Sequence, residues 1–104
     1  MEIQLQQTQA NNIIQNNPAV LLDFYADWCG PCQTLLPTIH KLATELKDEV
    51  IIKKVNVDDN QELAAKFGIR NIPTLVFFKD GEAVEKHTGL ITERNLRSKI
   101  DRLK

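Results

Sequence analysis

The chain has 104 residues, 42% of them apolar, with 13 Lys and Arg against 14 Asp and Glu and a formal net charge of −1. That length suits one domain, here read as residues 1–104, and it suffices to bury a core without metal or several disulfides. The balanced charge argues against nucleic acid or an anionic membrane as partner, since both need a basic excess, and no apolar run approaches the ~20 residues that span a bilayer.

Residues 1–7, Met-Glu-Ile-Gln-Leu-Gln-Gln, hold no cationic segment followed by an apolar stretch, so a cytoplasmic protein without a secretory signal is expected. Ile3 and Leu5 alternate with polar residues and suggest a short first strand. Thr8 is placed to cap a helix carrying Ile13 and Ile14, which Asn16-Asn17-Pro18 would end. Residues 19–26, Ala-Val-Leu-Leu-Asp-Phe-Tyr-Ala, are nearly all apolar and read as a strand buried on both faces. From Pro31, the residues Leu35, Leu36, Ile39, Leu42, Ala43 and Leu46 recur at helical spacing to about Lys47, with Pro37 inside the run. Val50 to Val57 is the next strand, and strand, helix and strand together make a right-handed unit with parallel strands. A short helix over Asp59 to Phe67 stops at Gly68. Two further strands, Thr74 to Lys79 and Glu82 to His87, flank the hairpin pair Asp80-Gly81. Thr92 then caps a last helix with Leu96, Ile100 and Leu103 facing inward. Parallel strands followed by an antiparallel hairpin imply an α/β fold with a mixed sheet and helices on both faces.

Two cysteines, Cys29 and Cys32, are the whole cysteine inventory. A secreted disulfide scaffold would use more and space them widely, whereas a close pair in a reducing compartment points to metal or redox chemistry. The segment Trp28-Cys29-Gly30-Pro31-Cys32 lies where the buried strand ends and the long helix begins. Helix N-termini present unpaired N–H groups and partial positive charge, which stabilise a thiolate. Cys29 is expected at that end facing solvent, and Cys32 a turn inside; one thiol attacks and the other resolves. Zinc needs four ligands, and His40 stands eight residues past Cys32, about 12 Å along the same helix. An Fe–S cluster would want four cysteines, and attached haem would want His where Gln33 stands. Redox chemistry remains ahead of two inert structural thiols.

Asp23 lies within the apolar run, where an acid is rarely without purpose. Lys53 and Lys54 alternate faces, so one points inward. His40 and His87 read as surface residues, and Arg94, Arg97, Lys99, Arg102 and Lys104 as the solvated face of the last helix. The four scattered glycines form no phosphate loop or dinucleotide fingerprint. No cofactor site is visible, so electrons must arrive from a protein partner.

The stretch from Asp23 to Cys32, Asp-Phe-Tyr-Ala-Asp-Trp-Cys-Gly-Pro-Cys, resembles the active-site segment of the thioredoxin family. The likeness continues through Pro37, Lys54 to Asp58, Phe67 to Arg70, Ile72-Pro73-Thr74, Phe78 to Gly81 and Gly89. It implies a five-stranded mixed sheet with four helices, and a general, monomeric disulfide reductase. It implies Cys29 as nucleophile, Cys32 as resolving thiol, Asp23 as buried acid and Lys54 as its neighbour. Pro73 matches the family's cis-proline, and Trp28, Gly30, Pro31, Ile72, Pro73 and Gly89 would form the client surface. The implied electron donor is a flavin-containing, NADPH-dependent thioredoxin reductase, and the clients are disulfide-bearing proteins. Tyr25, Gln33 and Asn71 stand where Trp, Lys and Gly are frequent in the family, which bears on partner choice. The other reading is a docking subunit in which redox turnover is incidental; it would not need both cysteines.

Overall fold

The computed structural model describes residues 7–104. In chain order the elements are α1 (Gln7–Asn16), β1 (Ala19–Tyr25), α2 (Gly30–Glu45), β2 (Ile51–Asn56), α3 (Gln61–Lys66), β3 (Thr74–Lys79), β4 (Glu82–Thr88) and α4 (Glu93–Asp101). The strands form one mixed sheet in the order β2-β1-β3-β4, with β1 parallel to β2 and antiparallel to β3. The family likeness implies five strands; the described residues hold four. A fifth needs a further extended segment, and the one expected around Ile3 and Leu5 lies outside the described residues. Thr8 also departs from its expected role. The helix already includes Gln7, so Thr8 stands in its first turn and not at its cap.

The nearly continuous apolar run of β1 is explained by its place in the middle of the sheet, where all seven residues are buried. Alternation divides them between two cores. Ala19 and Leu21 join Leu35, Ile39 and Leu42 of α2, Leu96 and Ile100 of α4, and Leu75 and Phe77 of β3. Val20, Leu22 and Phe24 face the other way, against Ala10 and Ile14 of α1, Leu63 and Ala64 of α3, and Val76 and Phe78 of β3. Each large apolar side chain buried this way contributes about 1.5–3 kcal/mol. Truncating Leu21 to Ala would lose about 2–5 kcal/mol with its cavity, a large part of the stability of a domain this size.

The β3–β4 hairpin closes on the two residues Asp80 and Gly81, both with positive φ, 51° and 88°. A two-residue turn of this hand matches the strand twist and requires such backbone at both positions. The last helix starts as its sequence indicates, with the Thr92 side chain accepting from the Asn95 N–H at 3.1 Å. No helix among the described residues is long and apolar enough to cross a membrane.

Candidate active site

The C-terminal end of β1 delivers the chain into a tight turn, in which the Cys29 N–H donates to the Ala26 carbonyl at 3.2 Å. Cys29 is the N-cap of α2, with extended backbone, and a proline occupies the helix's first positions. Proline fits there because its missing N–H would be unpaired in any case. The Cys29 Sγ accepts the Cys32 N–H at 3.2 Å, so a sulfur does the work usually done by a capping oxygen. Negative charge on that sulfur would meet both this N–H and the positive end of the α2 dipole.

Cys29 and Cys32 are joined as a disulfide, their Cα atoms 5.3 Å apart. Cys32 is fully enclosed and Cys29 is 6% exposed. The order of accessibility is the expected one, but Cys29 shows only an edge to solvent. It packs in one cluster with Tyr25, Ala26 and Cys32, with Val57 and Ile72 against it.

Two distant segments complete the site. The Cys29 Sγ lies 3.8 Å from the Ile72 carbonyl oxygen, and the Ile72–Pro73 peptide bond is cis. The Pro73 carbonyl accepts the Gly89 N–H at 2.8 Å, and Gly89 has a φ of 95°, a conformation that suits glycine. Trp28, next to Cys29 in the chain, is 71% exposed. Its indole N–H donates to Asp58 Oδ2 at 2.8 Å. Gly30 and Pro31 are exposed at the start of α2.

Asp23 and Lys54 lie on the strands beneath. Asp23 is fully buried on the α2 face of β1, two residues before Tyr25 and on the same side. Lys54 reaches the site through Tyr25, its ammonium 5.5 Å from the ring centroid. The Tyr25 hydroxyl titrates above its ordinary range, chiefly because burial disfavours the phenolate. Negative charge on Asp27, Asp23 and Asp59 adds to this, against a hydrogen bond with Asn56. Gln33, where the family often has lysine, turns its amide to the Ala26 carbonyl at 3.4 Å.

Asn56 and Asp58 are contributors that sequence reasoning did not single out. Asn56 is buried at the end of β2, and its Oδ1 accepts the Asp58 N–H at 2.9 Å. Neither periodicity nor charge marks these residues; the sole signal is the family-like stretch from Lys54 to Asp58.

The family model described as Thioredoxin matches residues 2–102. The thioredoxin of Pyropia yezoensis is 42% identical over 90 residues, covering 86% of this chain and 84% of that protein. Among solved structures, a point mutant of thioredoxin from Halobacterium salinarum NRC-1 superposes with a TM-score of 0.89 at 44% identity, covering 99% of this chain and 88% of that one. Fasciola hepatica thioredoxin gives 0.89 at 38% identity with both chains covered in full.

Proposed function

The chain belongs to the thioredoxin family and is a thiol–disulfide oxidoreductase, and from this premise we propose how its residues divide the work. Residues 1–104 act as one domain that reduces protein disulfides in the cytoplasm. The observation that carries the reading is the Cys29–Cys32 pair at the N-terminus of α2, beside the Ile72 carbonyl.

In the reduced protein the Cys29 thiolate attacks one sulfur of a client disulfide. That S–S bond breaks, a mixed disulfide forms, and the client's departing sulfur takes a proton. Cys32 then loses its proton to Asp23, directly or through water, and attacks the Cys29 sulfur. The mixed disulfide breaks, the client leaves with its second thiol, and Cys29–Cys32 becomes the disulfide seen here. Two electrons have passed to the client. A flavin-containing thioredoxin reductase fed by NADPH returns them. Lys54 sets the charge around Asp23 and Tyr25.

Trp28, Gly30, Pro31, Ile72, Pro73 and Gly89 form the surface that receives the client. Ile72 supports this most directly, because its carbonyl lies against the reacting sulfur and would meet an extended client backbone there. The protein works as a monomer. The test is a trap: Cys32→Ser should hold clients covalently through Cys29, released by dithiothreitol. Cys29→Ser should hold none, and equal capture by both variants would refute the division of roles.

A further inference from the structure

The sequence presents His87 as a surface residue, yet the structure gives its half-buried ring a partner. Its place on β4 is fixed by pairing with Leu75 in the β3–β4 ladder, and Nε2 meets the Leu90 carbonyl oxygen at 3.1 Å, three residues on. A carbonyl oxygen only accepts, so Nε2 carries the hydrogen. This contact completes the anchoring of the β4–α4 connection. Gly89 is held by its N–H on the Pro73 carbonyl at 2.8 Å, Ile91 packs against the α2 core, and Thr92 caps α4. Leu90, between them, is an apolar side chain 55% exposed, directly after a glycine of positive φ. The ring of His87 fixes its peptide plane. Leu90 also lines a groove of about 370 Å³ with Thr34, Leu35 and Thr38 of α2, the helix whose N-cap is Cys29.

We propose that His87 is a positioning residue for client recognition: its ring N–H holds the Leu90 carbonyl and so presents the Leu90 side chain, beside Gly89, to an apolar residue of the extended segment that flanks a client disulfide. The proposal rests on the reading of Gly89 as part of the client surface. Fixing the connection before contact removes the cost of ordering it on binding, so the effect falls on affinity for a protein client. The reacting sulfur is untouched, because Cys29 takes its own contacts from the Cys32 N–H and the Ile72 carbonyl.

The test is single-turnover reduction by the pre-reduced protein, with insulin as the protein disulfide and cystine as a small one. His87→Ala should raise the half-saturating insulin concentration about 3- to 10-fold, with the limiting rate moving less than about twofold. His87→Gln keeps an N–H donor at a similar reach and should recover most of that rise. Cystine is too small to extend to Leu90, and both variants should reduce it at the parental rate. A rise that His87→Gln does not reverse would assign the effect to ring volume and overturn the proposal. A matching loss of rate on cystine would place the defect in the redox site and overturn it as well. Parental half-saturation in His87→Ala, while Leu90→Ser raises it, would overturn the role of His87 alone. Parental half-saturation in both variants would show that clients do not reach this corner, and would overturn the client-surface reading of Gly89 with the role of His87.

Discussion

Asp23 and Lys54 are partners in the parallel β1–β2 ladder, and strand alternation sends both to the face covered by α2. The carboxyl is fully buried, while the ammonium lies over the ring of Tyr25, which packs against the cysteines. An acid and a cation are thus set side by side beneath a disulfide. Burial weakens the acid's ionisation and makes it a better base near neutral pH; the cation pulls the other way.

Asp23→Asn tests the acid's part. The amide keeps shape and volume but accepts no proton, so resolution of the Cys29 mixed disulfide should slow by about 10²-fold, the low end of general-base contributions. Asp23 is fully buried, so its ionised form carries a desolvation cost that the neutral amide does not. The variant should therefore be as stable as the parent at pH 7, or more so. Single-turnover product release alongside urea unfolding at pH 7 reads both effects. Resolution at the parental rate would remove Asp23 from proton transfer.

The two thiols should differ in reactivity once the disulfide is reduced. The Cys29 sulfur is held by the Cys32 N–H and the helix end, and shows an edge to solvent, whereas Cys32 is enclosed. Iodoacetamide near pH 7 should label Cys29 at least about tenfold faster than Cys32, read by peptide mass spectrometry. Comparable rates in the folded protein would contradict the assignment.

The central strand, the hairpin and the last helix were legible because each carries its own local signal. The run from Ala19 to Ala26 is apolar on both faces except at Asp23, Asp80-Gly81 permits the required positive φ, and Thr92 can cap. The cysteine pair was legible for the same reason, since strand, turn and helix N-terminus adjoin in sequence. The cap assigned to Thr8 failed because the residue before it, Gln7, is itself a good helix former. The approach of Ile72 to Cys29, 43 residues away, has no local signal and entered through family likeness. Asp58 stayed hidden for a related reason: an exposed loop acid looks like any solvated charge until its partner is placed.

Glu85 on β4 links the sheet to α4 through Lys99 and Arg102. The hydrogen bond from Lys99 holds its carboxyl below the ordinary value of 4.5. A depressed folded pKa contributes stability that is complete above the unfolded pKa and lost as pH falls through the folded one. Glu85→Gln should therefore cost less than about 1 kcal/mol at pH 7. The cost should begin to shrink as the pH falls below 4.5 and go on shrinking through the depressed folded pKa, measured as converging urea midpoints. A difference that does not shrink as the pH falls would assign the effect to packing and not to charge.

The disulfide should stabilise the fold, and its sign bears on the direction of electron flow. Folding and oxidation form a closed cycle, so a fold that favours the disulfide is itself favoured by it. A protein whose task is to give electrons away must favour its own disulfide. Here the fold holds the two Cα atoms 5.3 Å apart, within the span a disulfide needs. The loop between them is short, so the loss of unfolded-state entropy is about 2 kcal/mol, well below that of a long-range bridge. Urea unfolding of the oxidised and reduced protein at pH 7 should place the oxidised midpoint higher by an amount of this order. A more stable reduced form would mean that this chain inserts disulfides into its clients and does not remove them.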